Sequence, residues 1–516
     1  MRTFFVLLML AVLFQGCGKD TPDGTSDRPN VILLSLDTLR ADHLHCYGYE
    51  KDISPTMDGL AADGVLFENV FAQSSWTLPS HVSMLSSLYP SSHGVTHADR
   101  KIPGETLLLS EIFKNEGYCT GSINGSGYVS ARYGFDQGFD LYEEIHIESG
   151  NMAVICNRAI DWIDENREQN FFLFLHTYEP HGPYSPPDSY KKSYVSQDAA
   201  SRERFRDLFF KIMNDEVLTL DELGFLRTYK RCRLKKEIIH EWKALLEEYQ
   251  ANLALGHFTE RESLEKLADL IMRVEKNPDE IFQYWRENRD ELMIFPYLRE
   301  SYEAEIMFAD TQIARILAAV GRLGLQEKTL IVLTSDHGEE FIEHGKVGHA
   351  YNCYNETIHV PLIFYYPGHL PEGRRISENT ALIDVPPTIL ELIGIPVPGH
   401  FQGISLVPMI QGSSRTERRI FSEGVVHHKK AYWPVIVIDG AWKYHFDSKG
   451  TSPDELYDLE SDPGETVNLA AKEPDLVERL KGIAEDYLDK APPPKIEKVT
   501  ADQELQQQLQ ELGYVH

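Results

Sequence analysis

The sequence predicts an α/β protein with a mixed, mostly parallel sheet sandwiched by helices. Near-continuous apolar runs of strand length recur along the chain, and helical patterns separate them. Strands that are apolar on both faces must be covered on both faces, as in a parallel or mixed sheet between helix layers. The four runs are VILLSL (31–36), FFLFLHTY (171–178), TLIVLTS (329–335) and VPLIFYY (360–366).

The first 17 residues have the pattern of a secretory signal peptide. One basic residue precedes an apolar run that is short for a membrane span, and Gly16 precedes Cys17 as in the cleavage box of bacterial lipoproteins. We therefore expect an exported protein, periplasmic or at the cell surface. We expect a lipid on Cys17 as its only membrane attachment and a polar linker over 18–29, with a plain secretory signal as the alternative.

The rest of the chain divides into a main domain and smaller parts. A charged, Leu-rich stretch with helical spacing interrupts the strand pattern, and a helix ending at Gly324 then leads into the third apolar run. Strand patterns with a turn at Asp439-Gly440, followed by a helix, predict a small α+β subdomain. The predicted ranges are a main domain over 30–415 with a helical insertion over 197–297, a C-terminal subdomain over 416–490 and a tail with a short helix over 491–516.

The composition excludes some partners and motifs. With 80 acidic and 50 basic residues the formal net charge is -30, and such a field repels nucleic acid, so we expect no nucleic-acid partner. The 6 cysteines form no CxxC pair, so nothing indicates a cysteine zinc site or a redox motif.

Acidic and histidine side chains follow three of the apolar runs, and Glu179 with His181 comes after the second. Asp37 comes directly after the first run, and Asp336 with His337 comes after the third. The carboxyl ends of parallel strands meet at one edge of a sheet, where open α/β proteins bind ligands. Carboxylates buried there need a cation, and together with an imidazole they match a divalent metal site. Capping and hydrogen-bonded turn roles are the alternative.

The stretch SSWTLPSHVSMLSSLYPSSHG (74–94) places Thr77 just ahead of an apolar helix start. Pro79 suits a first helical turn, so Thr77 is expected at or just before the N-cap, beside unpaired N–H groups and the positive end of the helix dipole. A hydroxyl held there and coordinated to a metal loses its proton more readily and becomes a nucleophile. The alternative is a plain helix cap.

Taken together, these blocks resemble the sulfatases, within the alkaline phosphatase superfamily. The resemblance implies an alkaline-phosphatase-like mixed sheet with one active site at the strand ends. It covers most of the chain outside the helical insertion and is carried by NVILLSLDTLRADHLHCYGY (30–49), SSWTLPSHVSMLSSLYPSSHGV (74–95), FLFLHTYEPHGPY (172–184), LTSDHGEEFIEHGKVGHAYNCYNETIHVPLIFY (333–365) and ALIDVPPTILELIGIPVPG (381–399).

The nucleophile position departs from the family pattern. Sulfatases carry a Cys or Ser that is oxidised to formylglycine, whereas Thr77 stands there in this chain and His81 replaces the Arg of the maturation signal. No formylglycine is therefore expected. A metal-bound threonine resembles instead the nucleophile of relatives that act on phosphate esters, such as phosphodiesterases and headgroup phosphotransferases.

The implied metal ligands depart as well. Thr38 replaces the second of the paired family aspartates, and His337 replaces an Asn often found beside the aspartate that is Asp336 here. The resemblance thus implies Asp37, Thr77, Asp336 and His337 as ligands. This set is softer than an all-oxygen calcium site and favours one Mn²⁺ or Zn²⁺ ion, with Ca²⁺ possible.

Two histidines and three further residues complete the implied site. His181 matches the family histidine that contacts the ester oxygens, and His349 lies near the position of a conserved Lys, so both are expected to be catalytic. The Lys and His expected after GYCT are missing, and only Asn124 stands there. Asn124, His81 and Lys346 are the expected substrate-binding residues, with turn, helix-start and solvated-surface roles as alternatives.

The resemblance therefore implies an exported, metal-dependent hydrolase of sulfate or phosphate esters. Its substrate would be an anionic ester of a glycan, a lipid headgroup or a small molecule. Two alternatives stay open. One is a phosphodiesterase or headgroup phosphotransferase of the cell envelope, and the other is a non-catalytic lipoprotein that binds an anionic glycan.

Overall fold

The structure is a computed structural model that describes residues 28–146, 151–194, 294–413, 418–424, 434–447, 449–450 and 452–499. The strands in these ranges are β1 (Asn30–Leu36), β2 (Val65–Phe67), β3 (Val70–Phe71), β4 (Arg100–Lys101), β5 (Cys119–Asn124), β6 (Leu141–Glu144), β7 (Phe171–Thr177), β8 (Thr329–Thr334), β9 (Glu340–Phe341), β10 (Val347–Gly348), β11 (Leu362–Tyr365), β12 (Arg374–Ile376), β13 (Thr380–Ala381), β14 (Arg419–Glu423), β15 (Pro434–Asp439), β16 (Trp442–Asp447), β17 (Glu455–Asp458) and β18 (Glu497–Lys498).

The α-helices of the same ranges are α1 (Pro55–Ala62), α2 (Thr77–Ser86), α3 (Pro90–His93), α4 (Leu109–Asn115), α5 (Asn151–Asn166), α6 (Asp188–Tyr194), α7 (Ile294–Arg322), α8 (Asn355–Ile358), α9 (Val385–Leu392), α10 (Val407–Ile410) and α11 (Pro474–Lys490). Short 3-10 turns cover Ala41–His43, His45–Tyr47, Gly127–Val129, Ala131–Tyr133, Gln326–Lys328 and Leu382–Asp384. Among these described helices, none combines the length and the apolar character that a membrane crossing requires.

The central sheet has 8 strands in the order β12-β2-β11-β8-β1-β7-β5-β6. The central strand β1 runs parallel to both neighbours, so that Leu34 lies between Leu175 and Leu333. Strand β11 pairs antiparallel with β8 and β2, while the remaining neighbours in this sheet are parallel. The predicted mixed, mostly parallel sheet is confirmed.

Helices cover both faces of this sheet. Val31 and Leu33 belong to a core that includes residues of α2, α4 and α9. Ile32 and Leu34 belong to a second core that includes residues of α1, α5 and α7. Because side chains alternate along a strand, β1 needs apolar residues on both faces, which explains its near-continuous apolar run.

The four apolar runs correspond to β1, β7, β8 and β11. The helix predicted before the third run is α7, which ends at Arg322, and Gly324 follows with φ 70 in the left-handed region. Strands β2, β5, β6 and β12 were not predicted. Strand β2 has only 3 residues, and β5 reads CTGSIN, which is not an apolar run.

A four-stranded antiparallel sheet, β14-β15-β16-β17, forms the C-terminal subdomain. The predicted turn at Asp439-Gly440 joins β15 to β16, and Gly440 has φ 62. The helix α11 packs on this sheet through Leu480 and Ala484, which belong to the same apolar cluster as Val435. Beyond α11, β18 pairs with β4 of the main domain.

Several expectations fall outside the described residues. These are the signal peptide, the lipidation of Cys17, nearly all of the linker over 18–29, the helix of the tail and the insertion over 197–297 except for the first residues of α7. They stay predictions.

Candidate active site

Two neighbouring parallel strands bring three of the expected metal ligands together. Asp37 directly follows β1, and Asp336 with His337 follows β8 beside it. One ligand atom from each residue lies within 4.8 Å of the other two, and all three side chains are buried.

Thr77 lies against this triad of Asp37, Asp336 and His337. It is the first residue of α2, and Trp76 occupies the N-cap position. The Thr77 Oγ1 atom lies 3.2 Å from His337 Nε2. The structure therefore brings together the four residues that the sequence predicted as metal ligands, with the hydroxyl at a helix start.

The orientation of His337 suits a metal ligand. Its Nδ1 donates to the carbonyl of Gly338 at 2.9 Å, so Nε2 carries the lone pair. That Nε2 lies 3.7 Å from Asp37 Oδ1 and 3.3 Å from Asp336 Oδ2. Burial and the neighbouring His349 hold the pKa of His337 well below its usual value, which keeps the imidazole neutral and able to bind a cation.

The two triad carboxylates lack counter-charges. Asp37 Oδ1 and Asp336 Oδ2 are buried without a hydrogen-bond partner, and within the described chain neither carboxylate pairs with Lys or Arg. Burial raises the pKa of both carboxyl groups, and for Asp37 the charges of Asp336 and Glu339 raise it further. Unpaired buried carboxylates beside an imidazole lone pair fit a divalent metal ion.

Thr38 contributes backbone to the site in place of a carboxylate. With φ 59 it lies in the left-handed region, and its N–H donates to Asp336 Oδ1 at 3.3 Å. Its hydroxyl is buried without a hydrogen-bond partner. The expected loss of a carboxylate ligand at this position therefore leaves a polar oxygen next to Asp37.

His81 is placed beneath the triad and away from solvent. It is fully buried, its Nδ1 lies 3.0 Å from the Thr77 carbonyl and 3.3 Å from Asp336 Oδ2, and its Nε2 lies 3.0 Å from Ser35 Oγ. Since the carbonyl only accepts, Nδ1 donates and the Ser35 hydroxyl donates to Nε2. Both ring nitrogens are thus occupied, which does not suit the expected substrate contact. The geometry suits a residue that positions Thr77.

His176 is a site residue that the sequence did not reveal. It lies in β7, with Nε2 3.2 Å from Asp37 Oδ2 and a buried Nδ1 that lacks a partner. Its ring centroid is 4.8 Å from that of His81. The available signal was an imidazole inside an otherwise apolar strand, FFLFLHT.

His181 and His349 form a row with His337. The ring centroid of His349 lies 4.4 Å from the ring centroid of His337 and 4.9 Å from that of His181. Glu339, also missed from sequence, accepts from His349 Nδ1 at 2.8 Å and from the Tyr184 hydroxyl at 2.9 Å. Burial and the neighbouring His349 lower the pKa of His181 to about 3, so its imidazole acts as a neutral hydrogen-bonding group.

Asn124 and Lys346 occupy the loops around the site. Asn124 ends β5, accepts from the Ser126 N–H at 2.8 Å and donates to Ser122 Oγ at 3.2 Å, which is the turn role considered as its alternative. Lys346 lies in the β9–β10 hairpin, where its backbone N–H donates to Glu340 at 2.7 Å. Substrate binding by either residue stays a prediction.

Gly338 is required by a close approach of two segments. Its N–H donates to the Thr357 carbonyl at 2.9 Å, and a Cβ added there would lie 2.1 Å from the Glu356 carbonyl oxygen. Contact with the α8 backbone therefore excludes any side chain at this position.

A mixed α/β sheet with a buried cluster of carboxylates and histidine at its strand ends, beside a hydroxyl at a helix start, defines an alkaline-phosphatase-like hydrolase. The family model described as Sulfatase matches residues 29–395, and that described as N-sulphoglucosamine sulphohydrolase, C-terminal, matches residues 343–486. The chain belongs to the sulfatase family, whose enzymes use a divalent metal ion.

Relatives and solved structures agree with this assignment. The chain is 25% identical to an N-acetylglucosamine-6-O-sulfatase of Bacteroides thetaiotaomicron, covering 95% of this chain and 92% of the relative. It is 24% identical to arylsulfatase K of Homo sapiens, covering 92% and 84%. The phosphonate monoester hydrolase of Agrobacterium radiobacter has a similar structure, with TM-score 0.63, 21% identity and coverage of 90% and 95%. The expected ester hydrolase is confirmed.

Proposed function

We propose that this protein is a metal-dependent hydrolase of singly charged phosphoesters in which Thr77 is the nucleophile. The observation that carries the proposal is the Thr77 hydroxyl, 3.2 Å from His337 Nε2 and at the start of α2. Oxidation of a threonine would give a ketone and not the formylglycine aldehyde. The hydroxyl itself must therefore attack, as in relatives that act on phosphate esters.

Asp37, Asp336, His337 and the Thr77 hydroxyl would hold the metal ion. This set of two carboxylates, one imidazole and one hydroxyl favours Mn²⁺ or Zn²⁺ over Ca²⁺. When bound, such an ion would supply positive charge that attracts the ester and favours ionisation of the Thr77 hydroxyl.

The chain itself positions the reacting groups. The first turn of α2 holds Thr77, and His81 binds the Thr77 carbonyl so that the hydroxyl keeps its direction. The Thr77 oxygen would form a bond to phosphorus as the bond to the leaving alcohol breaks. Water would then cleave the phosphothreonine and restore the hydroxyl. His349, next to the triad, would donate a hydrogen bond to the ester oxygens or protonate the leaving group. The neutral His181 donates from Nδ1 to the Gly182 carbonyl, so its Nε2 would accept a hydrogen bond from the attacking water.

The charge balance of the site supports a singly charged ester. Asp37, Asp336 and Glu339 are buried carboxylates, and in the described part of the chain none of them pairs with Lys or Arg. A divalent ion offsets two of these three groups at most. A doubly charged phosphate monoester would be repelled more strongly than a diester, a phosphonate monoester or a sulfate ester.

Sulfate ester hydrolysis is the second candidate. The names of the sequence relatives favour it, since they are sulfatases acting on sulfated sugars or arylsulfatases. One solved structure of similar fold, with TM-score 0.66, is described in complex with its substrate D-glucosamine-2-N,6-O-disulfate. A sulfated or phosphorylated glycan, a lipid headgroup or a small molecule is therefore the proposed substrate range.

The test is turnover by purified protein loaded with Mn²⁺ or Zn²⁺, using bis(4-nitrophenyl) phosphate, 4-nitrophenyl phosphate and 4-nitrophenyl sulfate. We expect the diester to react fastest and Thr77→Ala to lose about 10³-fold or more in kcat. Thr311→Ala, an exposed hydroxyl on α7, serves as the matched control. Intact mass after rapid quenching should show a phosphoryl group on Thr77.

Two other results would change the proposal. Sulfate release that depends on Thr77 would establish sulfatase chemistry without formylglycine. Activity unchanged in Thr77→Ala would remove Thr77 from the reaction. Product analysis with added glycerol distinguishes a hydrolase from a headgroup phosphotransferase, because a transferase would place the phosphoryl group on the added alcohol.

The signal pattern at the N-terminus supports export and a lipid anchor on Cys17, and we propose both. In cells labelled with a radioactive fatty acid, the full chain should carry label and fractionate with membranes. Cys17→Ser should lose both properties. Label retained in the variant would contradict lipidation at Cys17.

A further inference from the structure

His344 connects the active-site segment to the C-terminal subdomain through both ring nitrogens. Nδ1 lies 2.5 Å from Glu356 Oε1, and Nε2 lies 3.1 Å from the backbone carbonyl of Glu465. A carboxylate and a carbonyl accept hydrogen bonds and do not donate them. Both nitrogens must therefore carry protons, and His344 is an imidazolium in this arrangement.

The surroundings of His344 suit a cation. The Tyr354 ring stacks on the His344 ring, with the two centroids 3.6 Å apart. The backbone N–H of His344 donates to Glu340 Oε1 at 2.8 Å. Burial opposes the charge, but the hydrogen bond and the charge of Glu356 prevail and raise the pKa of His344. The titratable and charged groups packed around it are Glu340 of β9, Tyr354 and Glu356 at α8, Glu465, and Lys443 and His445 of β16.

Glu465 holds the other end of the same segment. Its Oε2 accepts from the Asn355 N–H at 2.6 Å and from Lys443 Nζ at 2.9 Å, and its Oε1 lies 3.4 Å from His445 Nε2. Lys443 Nζ also donates to Asn355 Oδ1 at 3.0 Å. Glu465 has φ 52, a conformation that a non-glycine residue keeps only when its contacts enforce it.

The segment held at these two ends, residues 344–355, carries His349. Ala350, the residue after His349, has φ 64. Its N–H donates at 2.9 Å to the carbonyl of Ser75, which lies two residues before Thr77. Ile342, just before the segment, has φ 73. Backbone in these regions is strained and persists because neighbouring contacts over-determine it. The C-terminal subdomain supplies such contacts.

We propose that the cationic His344, together with Glu465, is a positioning residue that lets the C-terminal subdomain fix the place of His349. Loss of one His344 proton removes one of its two bonds, so the segment loosens and ester binding weakens as the pH rises. This inference rests on the proposed function, in which His349 contacts the ester.

The experiment uses the full chain loaded with Mn²⁺ and measures kcat and KM for the reactive ester between pH 6 and pH 10. In His344→Gln we expect kcat/KM to fall about 10- to 100-fold, mainly through KM, and to lack the alkaline decline that we expect of the unaltered protein. His344→Lys keeps the charge, so it should recover part of the activity and move the decline to higher pH. His369→Gln, an exposed histidine, is the matched control and should change nothing.

An unchanged KM in His344→Gln, or the same alkaline decline as in the unaltered protein, would overturn the inference. If Thr77→Ala keeps its activity too, the proposed function fails together with the inference. If Thr77→Ala loses its activity while His344→Gln behaves like the unaltered protein, only the inference about His344 fails. If His344→Gln does not fold, the test is the histidine side-chain ¹⁵N spectrum of the unaltered protein. The signals of His344 are assigned as those that disappear in His344→Lys. Two protonated ring nitrogens at pH 7.5 support the inference, and a neutral tautomer contradicts it.

Discussion

Two buried clusters of charge in this molecule are built in opposite ways. In the triad, oxygen atoms of Asp37 and Asp336 lack partners, and burial raises the pKa of both groups. At the C-terminal subdomain, burial also opposes ionisation of Glu465, but Lys443 and then His445 prevail and lower its pKa to about 2. The comparison teaches that a carboxylate satisfied by protein cations holds structure, whereas one left unsatisfied is available to a ligand.

The largest expected effect separates the clusters by metal content. Asp336→Asn removes a ligand and an uncompensated buried charge, so the variant should bind no metal and lose about 10³-fold or more in kcat, yet fold at least as stably as the metal-free parent. Elemental analysis, turnover and denaturant unfolding measure the three quantities. Asp486→Asn, exposed on α11, is the control. A metal-replete Asp336→Asn protein would contradict the ligand assignment.

Glu465→Gln should lower the stability of the protein and leave its metal content unchanged, which is the reverse of Asp336→Asn. The substitution leaves the fully buried Lys443 without its carboxylate, and breaking a buried pair in this way costs about 3–5 kcal/mol. Unfolding in urea should report this loss, while the metal content stays that of the parent. Glu460→Gln, an exposed residue of the loop that leads to Glu465, should be neutral. An unaltered stability would show that Glu465 does not hold the subdomain.

The two clusters should also respond to pH with opposite sign. Because the pKa of Glu465 falls from 4.5 to about 2, its contribution to the free energy of unfolding is complete above pH 4.5 and is lost as the pH falls toward 2. The pKa values of Asp37 and Asp336 are raised in the fold, so protonation of these two groups stabilises the folded metal-free protein at low pH. The metal-free protein should lose this part of its free energy of unfolding as the pH rises through the two raised pKa values. Unfolding of metal-free parent and Glu465→Gln across this range tests the sign. Equal acid slopes would contradict it.

The smallest expected effect concerns His181. With its pKa lowered to about 3, it is neutral throughout the working range. Its Nδ1 donates to the Gly182 carbonyl, so Nε2 accepts a hydrogen bond from the attacking water and carries no charge. His181→Asn should therefore lower kcat/KM by about 10-fold and leave the shape of the pH profile between pH 5 and pH 8 unaltered. If the variant instead lost a rise or fall of kcat/KM that the unaltered protein shows between pH 5 and pH 8, His181 would be the group that titrates there, which contradicts the prediction.

The sequence predicted the parts of the fold that are locally encoded. The strands β1, β7, β8 and β11 are apolar at nearly every position because each lies between two layers. Strands β2 and β12 have 3 residues each, and β5 is largely polar, so their place depends on pairing partners far away in the chain. Local patterns carry no signal for such pairing.

The same distinction holds for the site. Asp37, Asp336 and His337 follow from the rule that ligands gather at the carboxyl ends of parallel strands. His81 was expected at the substrate because its burial, one helical turn beyond Thr77, depends on how α2 packs on the sheet. The roles of His176 and Glu339 depend on contacts across elements, with Asp37 and with His349. No spacing in the sequence encodes these contacts.

The most direct test of the difference between the two clusters is calorimetric titration of Mn²⁺ into metal-free parent, Asp336→Asn and Glu465→Gln proteins. We predict one bound ion per chain for the parent and for Glu465→Gln, and none for Asp336→Asn. Equal binding by all three proteins, or binding lost only in Glu465→Gln, would contradict the assignment of the unsatisfied carboxylates as the metal site.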